Sequence, residues 1–531
     1  MSNPSGAPNR EDARDSGTLR HAMGVAPPHH SSVPALSILV LLMVAALGCI
    51  ILACVPIPSL PENVRLTWAW ACADGLLIWG LVLSTGRSVR QQLLSPLGFQ
   101  AVGYTLFFCV PAVYIVGNPQ WDTSGLSGEF PRVLQALAVG FVFETAGYYS
   151  RVGKSLADAI RTYVRLPVWS PAQSSRLTGL WIVYGTAWAA RAVLFFNNSY
   201  FWAAPSEFSH GPLYQLVGQV DTLGRLVLVF LCIRQFDPAH RRKSAKALVF
   251  VCLLELLWYL PAGKRQPIAE LGVSIFLAWV LMGRRVRWTF AIPAALMTAS
   301  LFSVISWYRA PLIAAFSQGM KIDATVMNLA VSGGVDTIRD QTASQLLTVA
   351  TGELMYRLSD ITSAAAPFRY TPSILDFQHG GTYIGALFFP IPRVIWPGKP
   401  SLVVGAFTTP YYFPWMAGEA TRPITLLGEC YLNFGYWGIP AVMFLWGLYL
   451  RTLYEYCRSH SGNSRAGLAF YIFISAYLIW TSPPFADEFE LATRIWLFVA
   501  FAVLCMRVAS RARQSPSTHG GENAPLQRVP Q

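Results

Sequence analysis

Apolar runs long enough to cross a bilayer recur through this chain, and no other feature limits its fold so tightly. A helix needs about 20 apolar residues to span a hydrocarbon core of about 30 Å. Twelve hydrophobic segments can be drawn, at 33–55, 67–84, 95–116, 132–150, 177–196, 213–233, 246–262, 267–283, 288–307, 424–450, 467–483 and 491–507. In lipid, only helices or closed barrels satisfy every backbone polar group, and barrel strands would alternate apolar with polar residues. The expected fold is therefore all-α: a polytopic integral membrane protein of about 12 transmembrane helices. The seventh and eighth segments are short, bracket Lys264 and Arg265, and could instead form a re-entrant pair. Charged residues are 13% of the chain, about half the fraction usual in soluble domains.

The formal charge of +13 invites a nucleic-acid reading, but the cations sit in short loops between apolar runs. Lys and Arg in short loops mark the cytoplasmic side. With the N-terminus inside, the cytoplasmic tails and loops hold 25 cations. The short loops on the other side hold only Arg65, Arg132, Lys264 and Arg265. Both termini are then cytoplasmic, and no nucleic-acid partner is expected. The nine cysteines lie in or beside apolar segments without metal-ligand spacing, so they read as small apolar residues.

The expected organisation is a disordered cytoplasmic tail at 1–33, helices one to nine over 34–307, and a large, partly helical extracytoplasmic loop at 308–423. Helices ten to twelve follow over 424–508, with a disordered cytoplasmic tail at 509–531. The first apolar run is too long for a signal-peptide core and is expected to remain as an uncleaved helix. Long loops in compact proteins usually serve function. Within this one, "FFPIPRVIWPGKPS" (388–401) packs four prolines, Arg393, Lys399 and Trp396 together. A phosphate-cradling P-loop would need a glycine where Arg393 stands and a hydroxyl where Pro400 stands. Two readings remain, an interfacial anchor and a stiffened loop whose cations grip phosphate oxygens.

This stretch, within "GGTYIGALFFPIPRVIWPGKP" (380–400), is followed by "LLGECYLNFGYWGIPAVMFLWGLYL" (426–450). The pair resembles the bacterial Wzy-type oligosaccharide repeat-unit polymerases. Three elements carry the likeness in order, Gly380–Tyr383, Pro392–Pro400 and Gly428–Gly438, over about 60 residues. "MYRLSDI" (355–361) and "AGKRQPI" (262–268) are similar to weaker family elements. The first element departs from the pattern in carrying two glycines, Gly380 and Gly381, before Thr382.

The resemblance implies a GT-C-like architecture in a bacterial plasma membrane, and a reaction on its extracytoplasmic face. Repeat units linked to undecaprenyl pyrophosphate are joined into a surface polysaccharide, and undecaprenyl pyrophosphate leaves. Pathway partners would be a flippase and a chain-length regulator, besides the lipid-linked oligosaccharides and membrane lipids. Such chemistry needs fixed cations where the diphosphate charge develops and a base for the acceptor hydroxyl. Arg393, Lys399, Lys264, Arg265, Arg357 and Arg191 are the expected diphosphate-binding residues, with Arg393 also catalytic. His379, 14 residues before Arg393, and Glu429 are the first choices for base, with Asp360 and Glu419 competing. No carboxylate cluster suggests a metal, so catalysis without metal or cofactor is expected.

Asp74, Glu144, Arg191, Asp221, Arg225, Glu255, Glu270 and Arg494 fall inside apolar segments, where charges mark sites or pairs. Asp221 and Arg225, four apart, are expected to satisfy each other within one helix. An O-antigen ligase-type transferase, or a lipid-linked-sugar transporter without catalysis, are the alternative functions.

Overall fold

A computed structural model describes residues 60–84, 89–170, 177–197, 212–237, 241–284, 342–388, 404–416, 421–460, 464–481 and 483–511, with isolated positions elsewhere. The segments 33–55 and 288–307 fall almost wholly outside these residues. Among the described residues the regular structure is helical. In chain order the helices are α1 Glu62–Leu83, α2 Pro96–Gly117, α3 Phe130–Tyr149, α4 Arg151–Tyr163 and α5 Thr178–Phe196. Next come α6 Pro212–Asp221, α7 Leu223–Phe236, α8 Arg241–Tyr259 and α9 Arg265–Leu281. The long loop contributes α10 Ala343–Arg357, α11 Asp360–Tyr370, α12 Gly381–Leu387 and α13 Val404–Tyr412. The chain closes with α14 Thr425–Phe434, α15 Gly438–His460, α16 Arg465–Leu478 and α17 Phe485–Arg511.

Five stretches are long and apolar enough to cross a membrane: α1, α2, α5, Leu216–Phe236 and most of α17. This is the build of a membrane-embedded protein. One expected span is not a single helix. Residues 424–450 divide because Gly435, at φ +62° and ψ −150°, turns the chain between α14 and α15, a conformation open essentially to glycine alone. Residues 213–233 show only a one-residue irregularity at Thr222, which stays in helical conformation between α6 and α7.

Among the described residues the most extensive helix pairing is α3 with α15, and small residues make it possible. Gly140 faces Met443 and Ile439, Gly147 the Phe444 carbonyl, and Gly447 the Glu144 carbonyl. Sequence numbers rise together along this seam, so the two helices run parallel. Without a hydrophobic drive between helices in lipid, association rests on close backbone packing at such residues. A Cβ at Gly447 would overlap the Glu144 carbonyl oxygen. Gly447→Leu is expected to cost about 3 kcal/mol or more by overpacking, read as a lowered thermal midpoint of the detergent-purified chain.

The basic loops close on one another at one end of the bundle. Arg90 donates to the Val280 carbonyl (2.6 Å) and Arg284 to the Phe236 carbonyl (2.9 Å). Trp169 N donates to Ser464 Oγ (3.0 Å), and Arg507 to the Val168 carbonyl (2.7 Å). The opposite end gathers segments from the other side of the expected topology. There Arg369 meets Glu129 (3.4 Å), Thr481 donates to Asp360 (2.6 Å), and Phe485 N donates to Glu429 (2.7 Å).

Part of the long loop is bundle interior. Residues Asp360–Phe368 of α11 are all buried, because the helix packs against α3, α14 and the Thr105–Cys109 turn of α2. A helix covered on all sides belongs to a core.

Candidate functional site

Two polar centres stand at the end of the bundle opposite the basic loops. The first is organised by Asn433, in the last turn of α14. Its Oδ1 accepts from Gly380 N (2.9 Å), and its Nδ2 donates to Thr382 Oγ1 (2.8 Å) and the Glu429 carbonyl (2.9 Å). Backbone bonds from Gln378 N to the Leu432 carbonyl (3.0 Å) and from His379 N to the Asn433 carbonyl (3.1 Å) complete the tie. The turn at 378–382, which opens α12, is thereby fixed to the end of α14. Tyr383 stacks on Phe434 with 6.3 Å between ring centroids and meets Phe485 edge-on at 5.9 Å.

Backbone strain marks both ends of α14. His379 holds φ +48°, Gly380 +88°, and Thr425, at the start of α14, +64°. A β-branched residue at positive φ is a true outlier, and such positions cost of order 1–3 kcal/mol and cluster at functional sites. His379 is exposed, whereas Glu429 is fully buried. The Glu429 carboxylate accepts the Phe485 amide, the first N–H of α17, so it caps that helix as a carboxylate does well. The two expected base residues thus share the Asn433 hub but differ in access.

The second centre is a closed charge network among α5 to α9. Arg191 is fully buried. Its Nε donates to Asp221 (2.6 Å), and Nη1 and Nη2 donate to the two oxygens of Glu255 (2.7 Å each). Tyr259 OH donates to the other Asp221 oxygen (3.2 Å), and the rings of Trp188, Trp258 and Tyr259 lie 5.2–5.5 Å from the guanidinium carbon. Gly224 lets α7 approach, since a Cβ there would come 2.5 Å from Arg191 Nη2. The intrahelical pairing expected of Asp221 and Arg225 does not occur. Asp221 turns to Arg191 and Arg225 to Glu270, because each has an oppositely charged partner on a neighbouring helix.

Lys264 and Arg265 were expected as an exposed cation pair; the structure corrects this. Arg265, at the start of α9, is buried, and Lys264, in the turn before it, is half-buried. The Lys264 ammonium makes no hydrogen bond or ion pair among the described residues. Burial pushes its pKa below the ordinary lysine value; Asp221 opposes this, while Arg191 and Arg225 reinforce it. Lys264 and Arg191 are therefore neighbours in one electrostatic field, but the Arg191 fork is already spent on carboxylates.

Arg357 is exposed at the end of α10 and pairs with Glu353 at 3.6 Å. Beside it is a cation that sequence reasoning missed, Arg422, just before α14. Its Nε donates to Ser363 Oγ (2.9 Å), and its guanidinium lies 4.8 Å from the Phe413 ring. Burial pulls its pKa below the ordinary arginine value, while Tyr356 and Asp360 oppose and Arg357 adds to the fall. The available signal was an Arg-Pro pair, Arg422–Pro423, next to the family-like element. Arg393, Lys399 and Glu419 lie outside the described residues. Trp396 between the two cations is exposed and edge-on to Phe388 at 5.7 Å.

Comparison with protein-family models, characterised proteins and solved structures gave no match.

Proposed function

We propose that this chain is a glycosyltransferase of the plasma membrane. In this reading it joins oligosaccharide repeat units carried on undecaprenyl pyrophosphate into a surface polysaccharide on the extracytoplasmic face. The observation that carries the reading is the Asn433 hub. It ties the Gly380–Tyr383 element to the Gly428–Gly438 element, and α12 leads straight into the stretch bearing Arg393 and Lys399.

The residues divide the work as follows. An acceptor hydroxyl attacks the anomeric carbon of the growing chain; the bond from that carbon to the diphosphate oxygen breaks, and undecaprenyl pyrophosphate leaves. Arg393 and Lys399 stabilise the charge developing on the leaving group. Lys264, whose ammonium has no partner among the described residues, suits a diphosphate better than Arg191 or Arg265. Arg422 and Arg357 extend the cationic surface beside α14. His379 takes the acceptor proton, because its imidazole is exposed and can accept one, whereas Glu429 organises the α14–α17 junction.

Arg393→Ala, expressed in a strain lacking the native gene, is expected to abolish long polymer on a polysaccharide gel while a single repeat unit persists. Full-length polymer from a normally inserted variant would remove Arg393 from the mechanism.

A further inference from the structure

The chain after α3 folds as α4, a 13-residue amphipathic helix, and three observations about that helix converge. The first is its surface. Val152, Leu156, Ile160 and Tyr163 are 59%, 47%, 36% and 87% exposed. Their spacing of four, four and three residues puts them on one face. Gly153 and Ala157 on the neighbouring face are buried, Gly153 against Arg451 of α15. Arg151, Lys154, Ser155, Asp158, Arg161 and Thr162 occupy the rest of the circumference. The stripe is thus beside the protein contact and not part of it.

The second observation is the direction of the helix. Thr452 of α15 donates to the Gly153 carbonyl (3.2 Å), and Tyr456 donates to the Val164 carbonyl (3.2 Å). At a rise of about 1.5 Å per residue, α4 advances about 16 Å between those carbonyls, and α15 about 6 Å between the donors. The helix therefore crosses the end of α15 obliquely instead of continuing α3, from which it is separated by the extended residue Ser150. The third observation is location. α4 lies at the basic end of the bundle, where Trp169 reaches Ser464 and Arg507 reaches Val168.

An apolar stripe flanked by cations, on a helix turned across the end of a membrane bundle, is the pattern of an interfacial helix. We propose that α4 is an in-plane anchor that seats Val152, Leu156, Ile160 and Tyr163 at the acyl boundary and holds anionic phospholipid headgroups with Arg151, Lys154 and Arg161. Its occupant is the anionic leaflet facing the basic loops. Charge complementarity selects it, because α4 carries three cations against the single acid Asp158, whose exposed ion pair with Arg161 (2.8 Å) still leaves an excess of positive charge, and each cation near an anionic surface contributes attraction. The inference stands apart from the catalytic reading and survives or fails independently of it.

The test uses the full chain in vesicles of phosphatidylcholine, with or without phosphatidylglycerol. A ketone-reactive nitroxide is placed at Leu156 or at Asp158 through an unnatural amino acid, so that the native cysteines stay untouched. The label at 156 is expected to be several-fold more accessible to oxygen than to a water-soluble nickel chelate, and the label at 158 the reverse. Equal chelate access at both positions, or shielding of 156 from both reagents by protein, overturns the anchor. In a second arm, phosphatidylglycerol is expected to raise the thermal midpoint of the native chain and to raise it less in R151Q/K154Q/R161Q. An equal rise in both overturns the headgroup contact.

Discussion

Replacing Arg191 by alanine is expected to leave almost no folded protein. The guanidinium is the counter-ion of two carboxylates from other helices, Asp221 and Glu255, and none of the three has ready access to bulk water. Removing one partner of a buried pair leaves an uncompensated charge and costs about 3–5 kcal/mol. Total stabilities of domains are only about 5–15 kcal/mol, and here the lost group also holds α5, α6 and α8 together. Arg191→Lys should recover little, because a point ammonium cannot replace a fork that donates to Glu255 through two nitrogens and to Asp221 through a third. Removing both charges of the bidentate pair, Arg191→Met with Glu255→Leu, is expected to be milder than Arg191→Ala alone. The readout is the monodisperse fraction on size exclusion together with the thermal midpoint. A single variant with native values would mean that the network does not hold these helices.

The second large effect is expected on activity instead of folding. Asn433→Ala removes the acceptor for Gly380 N and the donor to Thr382. A buried amide left without its partner costs about 1–3 kcal/mol, and the strained His379–Gly380 turn would relax once its tie is lost. Chain growth is expected to fall by at least about tenfold, the factor that 1.4 kcal/mol of lost positioning represents. Membrane insertion should stay near native. Asn433→Asp keeps the acceptor for Gly380 N but loses the donor to Thr382, so it should lie between the two. If Asn433→Ala polymerises normally, the 378–382 turn does not position the reaction.

The membrane character and the approximate place of most helices were legible because hydropathy is a local property of sequence. What depended on tertiary contacts was not. Asp221 and Arg225 read as a pair on one helix, but charged partners on neighbouring helices claim each of them. The face of α4 stayed hidden behind a tally of loop cations, although its apolar spacing was in the sequence. The burial of α11 could not be foreseen either, since Ser, Thr and Ala over 362–366 suit a solvated helix as well as a close-packed one. For the candidate site, Asn433 lies inside the quoted Gly428–Gly438 element and is bonded to the Gly380–Tyr383 element. Its role as the hub follows only from hydrogen bonds across 53 positions of sequence.

The central claim is that this chain makes glycosidic bonds from lipid-diphosphate donors. The direct measurement is to reconstitute the purified chain with undecaprenyl-pyrophosphate-linked repeat unit, in vesicles that carry no ion gradient. Growth of a ladder of polymer, with release of undecaprenyl pyrophosphate in step with each bond formed, is the expected result. Vesicles of correctly folded protein that leave the repeat unit unextended, or move it across the bilayer without joining it, would contradict the account.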